Sequence, residues 1–283
     1  MKKYMFLTLL TVGAALGLLS VIVSLPVPQA HAQDNTAVVS VITADFVAPA
    51  VFQAAGPSVA SIQSSVTEYR AALGGQNNGI EGSKDDGRRE INWDGGGLST
   101  TIDDNPMDRF LGPRGALFTT PDGTGFAQAT PQGLAELFNN PTYGTIFHTF
   151  SQFRLFAARG GKITDVDFFV PGGGNIRTTT KGFGAVFTDV DQPDGSGPGE
   201  KHGNRHASTL MEYFGANGEL LFSSFVPASP GDGGQSFFGI VFPDARIARV
   251  RITSGNVAPG PDDDVNQDVV MMDDFIYGEP KRP

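Results

Sequence analysis

Glycine and proline interrupt this chain too often for long helices to fit between them. The sequence holds 37 Gly and 19 Pro among 283 residues. In a helix interior each Gly costs about 1 kcal/mol and each Pro about 3 relative to Ala. A helical bundle is therefore disfavoured, and short strands joined by tight turns are what the punctuation allows.

Strand-like runs fill the second two thirds. Glu90-Ile91-Asn92-Trp93-Asp94 alternates polar and apolar and stops at Gly95-Gly96-Gly97. Gly115 to Thr120 and Gly125 to Thr130 flank the turn Pro121-Asp122-Gly123-Thr124. In Lys162 to Val170, Val166 and Phe168 alternate with Asp165 and Asp167. Thr209 to Phe214 and Glu219 to Val226 are joined by Gly215-Ala216-Asn217-Gly218, a hairpin signal. With Phe147 to Phe156, Phe183 to Val190, Phe237 to Phe242, Ile247 to Thr253 and Val269 to Tyr277, about ten strands are expected. The fold class they predict is all-β: a β-sandwich, jelly-roll-like. Before them, Ile62, Val66, Tyr69 and Leu73 recur at helical spacing and Gly74-Gly75 ends the pattern. An N-terminal amphipathic helix over 58–73, packed on the sandwich, is expected.

The expected domain plan has five parts: a signal peptide over 1–32, a lead and helix over 33–75, and a linker or loop over 76–89. The sandwich follows over 90–279, and 280–283 is a tail. Met1-Lys2-Lys3 is a positive start, Tyr4 to Leu25 is almost wholly apolar, and Ala30-His31-Ala32 has the small-x-small form of a cleavage site. Export follows as an expectation, to the periplasm or the medium. No second apolar run of spanning length follows, so no transmembrane span is expected after cleavage. There is no Cys, which removes disulfides, thiol nucleophiles and Cys-zinc sites. The net charge of −10 removes the basic footprint that nucleic acid requires. The core must come from the 22 Phe.

Three segments carry a resemblance: Arg89-Glu90-Ile91-Asn92-Trp93-Asp94-Gly95, Gly182-Phe183-Gly184-Ala185-Val186-Phe187-Thr188-Asp189-Val190-Asp191, and Val270-Met271-Met272-Asp273-Asp274-Phe275-Ile276-Tyr277-Gly278. With the hairpin, they resemble a group of exported bacterial β-sandwich proteins of unassigned function. The stretch from Phe237 to Phe275 is similar to the last strands of jelly-roll carbohydrate-binding modules and of PEP-CTERM-type surface proteins. That second resemblance implies a jelly roll, a structural Ca²⁺ and, in some members, a glycan site.

Acidic loops are the strongest chemical signal. Asp262-x-Asp264-x-Asn266-x-Asp268 places oxygens at every second residue, with Asp273 and Asp274 further on. Asp189-x-Asp191 is a second partial match. Ca²⁺ takes six to eight oxygens in flexible geometry, which such loops can supply. In the closing strand, Asp273 and Asp274 are expected on opposite faces, and a buried carboxylate there needs a cation, Arg249 or Arg251, or strong donors. His202 and His206 read as an exposed polar loop rather than as zinc ligands, since Gly203 and Asn204 discourage the aligning helix. Exposed Trp and Tyr are the usual sugar platforms, so Trp93, Tyr143 and Tyr213 are the ligand-binding candidates. No nucleophile elbow, SxxK or P-loop is present, so no catalytic residue is assigned.

The function expected is non-catalytic binding of a glycan or cell-surface ligand by an exported, Ca²⁺-stabilised module. The alternatives are a structural or adhesive protein that contacts other proteins, and a hydrolase with a carboxylate pair assembled by the fold.

Overall fold

The computed structural model describes residues 47–80, 82–192, 209–261 and 267–281. Thirteen strands among the described residues, numbered along the chain, form two antiparallel sheets of a β-sandwich. The larger sheet runs β1 (Ala50–Gly56), β11 (Gln235–Val241), β8 (Gly182–Thr188), β13 (Met271–Gly278), β6 (Leu155–Arg159), β5 (Gly125–Ala129), β3 (Thr101–Asp104). Strand β2 (Arg88–Ile91) pairs with the last four residues of β13. The smaller sheet runs β10 (Leu220–Phe225), β9 (Leu210–Phe214), β12 (Arg249–Thr253), β7 (Ile163–Phe168), β4 (Ala116–Thr119). The helices are α1 (Val59–Leu73), the single turn α2 (Leu111–Arg114), α3 (Pro131–Phe138) and α4 (Tyr143–Ile146). None of the described helices is long and apolar enough to cross a membrane.

Between the sheets lies a phenylalanine core. Phe126, Phe156, Phe183, Phe187, Phe238 and Phe275 of the larger sheet meet Phe118, Val166, Phe168, Tyr213, Val250 and Ile252 of the smaller one. The larger sheet is also covered outside. Ile62, Val66, Tyr69 and Leu73, the stripe of α1, bury against Val186, Phe237 and Ile276. Leu134, Tyr143 and Phe147 cover Leu155, Ala157 and Met271. Covered on both faces, β8 and β13 are buried at every residue, which explains why they read as apolar runs rather than alternating ones.

A glycine window seats α1. Gly184 on β8 and Gly239 on β11 pair in register, and a Cβ on either would stand 2.9 Å from the Tyr69 ring. Tyr69 lies where those side chains are missing. Gly239→Val is therefore expected to cost about 1–3 kcal/mol through overpacking. Urea unfolding checks it, and an unchanged midpoint would remove the window from the account.

The Pro121-Asp122-Gly123-Thr124 turn forms between β4 and β5 and carries the chain from one sheet to the other. The structure departs from the sequence pattern in two places. The strand over Glu90–Asp94 ends at Ile91, and Trp93 takes a left-handed conformation (φ 62°). The segment between β5 and β6 carries α3 and α4, with Thr130 Oγ1 accepting from Gly133 N–H as the α3 N-cap.

Candidate functional site

Trp93, Tyr143 and Tyr213 are at most 2% exposed, so they are corrected from sugar platforms to core residues. Trp93 Nε1–H donates to the Asp273 carbonyl (2.8 Å). Tyr213 O–H donates to the Phe183 carbonyl (3.2 Å), and Tyr143 Oη accepts from Gly260 N–H (3.1 Å). Each polar tip is thus consumed by backbone, and each ring lies inside an apolar cluster.

The Asp273-Asp274 pair sits in a β-bulge. Register shifts between Met272 and Phe275, so both aspartates oppose Val186 alone. Met272, Phe275 and Tyr277 belong to the core between the sheets, while Met271 and Ile276 pack outside. The expected opposite facing is therefore corrected: the extra residue puts both aspartates on the outer side, Asp273 against the 150–151 backbone and Asp274 against Arg70 of α1. Neither Arg249 nor Arg251 reaches them, since both lie on β12 of the other sheet, where Arg251 pairs with Asp165. Instead Asp273 accepts from Phe150 N–H (2.7 Å), Ser151 N–H (3.2 Å) and Ser151 Oγ–H (2.7 Å). Asp274 Oδ2 pairs with Arg70 of α1 (3.2 Å), while its buried Oδ1 has no protein donor. Burial, then the neighbouring carboxylate, pushes Asp273 well up; burial also raises Asp274, to about 6. The pair works as an internal clamp between the 150–151 turn, the bulge and α1.

A second acidic group gathers where β8 ends. Asp189, in a left-handed conformation (φ 69°), is joined by Asp191, Asp232 and Asp268 from three segments. Gly231 N–H donates to Asp191 Oδ1 (2.9 Å). The N–H groups of Asp191 and Gln192 donate to Asp268 (both 3.3 Å). Asp189 is 7% exposed, and its Oδ1 is buried with no hydrogen-bond partner. Among the described residues, none of the four pairs with a lysine or arginine. Burial, then the charges of Asp191 and Asp268, pushes Asp189 up to about 8. Burial pushes Asp268 to about 7. No three acidic or histidine side chains among the described residues already stand around one point as metal ligands.

Asp262, Asp264, Asn266, His202 and His206, and the proposed signal peptide, lie outside the described residues. Compared with family models, curated proteins and solved structures, the chain matches none.

Sequence reasoning passed over Asp94, Asp232 and Arg154. Asp94 accepts from the N–H groups of Gln152, Phe153 and Arg154 (3.0, 2.9 and 2.9 Å), a role that needs the folded turn to be seen. Arg154 left a signal: an arginine within a phenylalanine-rich run must either break that run or be buried with it. It is 1% exposed.

Proposed function

We propose that this chain is an exported, non-catalytic binding protein whose β-sandwich takes up Ca²⁺ at the end of β8. The observation that carries the reading is Asp189: a buried carboxylate, one oxygen without a partner, facing Asp191, Asp232 and Asp268 with no basic side chain between them. Burying such charge unpaired is costly, and protons or a cation would relieve it. Ca²⁺ suits loop-borne carboxylates because it tolerates irregular geometry. Asp189, Asp191 and Asp268 would hold it, with the ion drawing them closer. The apolar run and small-x-small site at the N-terminus support export. The non-catalytic reading is supported by Asp273 and Asp274, which are buried and spent on Phe150, Ser151 and Arg70, whereas glycoside hydrolysis needs two carboxyls about 5–10 Å apart across a cleft. Glycan recognition finds no platform in Trp93, Tyr143 or Tyr213, which are buried.

The sign of the pH effect follows from the same group. The folded chain keeps protons on Asp189 and Asp268 up to about 8 and 7, while the unfolded chain releases them near 3.8. Without a cation, these groups therefore make stability fall as pH rises from about 4 to 8. Calorimetric Tm measured with EDTA is expected to drop over that window, and millimolar Ca²⁺ is expected to restore it at pH 8 but not at pH 5. At a hundredfold excess over Kd the gain is about 2.7 kcal/mol. Asp189→Asn should raise Tm at pH 8 in EDTA and abolish the response to Ca²⁺. A Tm at pH 8 indifferent to Ca²⁺ would sink the reading.

A further inference from the structure

On the other side of the bulge, the described residues form a cavity of about 310 Å³ that nothing above assigns. Its basic wall is Arg109, Arg114 and Arg154, and its apolar wall includes Trp93 and Phe110. Three arginines around one cavity are unexpected in a chain of net charge −10.

Arg154 is the informative member. It is almost wholly buried, and Gly96 makes room for it: a Cβ there would stand 2.0 Å from Nη1. Nη2–H donates to the Gln128 carbonyl (2.8 Å), while Nε is buried without a partner. No carboxylate among the described residues pairs with it. The two nearby acids are committed elsewhere. Asp94 accepts the three backbone N–H groups of 152–154, and Asp103 takes Arg109 and Gln128 Nε2 (2.7 Å for the latter). Arg114 spends Nη1 on the Glu90 and Gly79 carbonyls. The cavity is thus lined by a guanidinium that has no contact anion among the described residues. Buried charges are ordinarily paired, and Arg is the side chain suited to planar, bidentate anions.

We propose that this cavity is a binding site for a small monocarboxylate with a ring-sized body, its carboxylate meeting Arg154 and Arg109 and its body lying along Phe110, whose ring Trp93 meets edge-on at 5.6 Å. The volume is at the low end of small-molecule sites, about 300–1,000 Å³, which fits one ring and a carboxylate. The acidic surface disfavours a polyanion, whose every further charge would be repelled.

The chain has one Trp, and it lines this cavity, so its emission reads occupancy directly. The probes are sodium benzoate and sodium glucuronate, with glucose as the uncharged partner of the latter, at constant ionic strength in chloride. A saturable change in Trp93 emission with a carboxylate, and none with glucose, is expected. Glucuronate binding more tightly than benzoate would assign a sugar acid; the reverse would assign an aromatic acid. Arg109→Gln, at a side chain 43% exposed on the rim, should weaken binding several-fold while leaving the fold intact. Arg154→Gln should weaken it roughly tenfold or more, as loss of a charge-assisted contact does. Arg154→Lys keeps the charge if the glutamine variant fails to fold, and should still weaken binding because the planar fork is lost. No saturable signal with either carboxylate, equal response to glucose, or affinity unchanged in Arg109→Gln would overturn the proposal. Because the cavity shares no residue with the β8-end aspartates, the calcium reading stands or falls separately.

Discussion

Glu279→Gln is expected to cost about 3–5 kcal/mol, because it leaves a fully buried arginine without its counter-charge. Arg89 and Glu279 both have side chains with 0% exposure. They meet as a fork: Nε to Oε2 at 2.7 Å and Nη2 to Oε1 at 2.8 Å. Arg89 also donates to the carbonyls of Pro113 (2.8 Å) and Gly82 (3.0 Å). Glu279 accepts from Asn78 Nδ2 (2.8 Å) and Lys84 N–H (3.0 Å). One ion pair therefore ties the 78–84 loop, the turn before β4 and the residue just past β13. The amide keeps the shape and loses the charge, so the loss reads the electrostatics. Urea unfolding of Glu279→Gln, Arg89→Met and the double variant Arg89→Met/Glu279→Leu tests it. Each single change should remove a large share of the roughly 5–15 kcal/mol by which a domain is ordinarily stable. The double variant should lose less than the sum, since no charge is stranded. Additive losses would mean that the pair does not act as a unit.

The sandwich was legible because its information is local. Val166 and Phe168 point inward while Asp165 and Asp167 do not, and β7 pairs with β12 and β4. The Gly215–Gly218 turn joins β9 to β10. What stayed hidden depends on a register or on a partner far along the chain. One inserted residue in β13 turned the two aspartates to the same side, and no pattern of period two contains that insertion. The candidate ligand residues failed for a related reason. Aromatic type does not distinguish a sugar platform from a core ring, and here every polar tip found a backbone partner inside. The acidic cluster was half visible: Asp189, Asp191 and Asp268 stand out in the sequence, whereas Asp232 joins them only through the fold. Arg154 and Arg109 are 45 residues apart in the chain, and their shared cavity has no local signature.

Trp93→Ala is expected to cost about 3–5 kcal/mol, the range of large aromatic deletions in a core. The indole stacks on Phe156 at 3.9 Å and meets Phe110, Phe118 and Phe275 edge-on at 5.1–5.6 Å. Phe156 in turn stacks on Phe126 at 5.2 Å, so one deletion unsupports rings from both sheets. The lost Nε1–H donor also leaves the Asp273 carbonyl unmet inside the bulge. The left-handed turn at Trp93 is what drops the ring into the core and aims Asp94 at the 152–154 backbone. Trp93→Phe should keep most of the packing and lose mainly the hydrogen bond, about 1 kcal/mol. Chemical denaturation of both variants separates two roles for this residue. A surface platform would tolerate alanine with a change below about 0.5 kcal/mol and lose only ligand. A core ring would lose stability first. If Trp93→Ala unfolds at the parent midpoint, the aromatic cluster does not hold the two sheets together, and the wall of the arginine cavity is looser than the geometry requires.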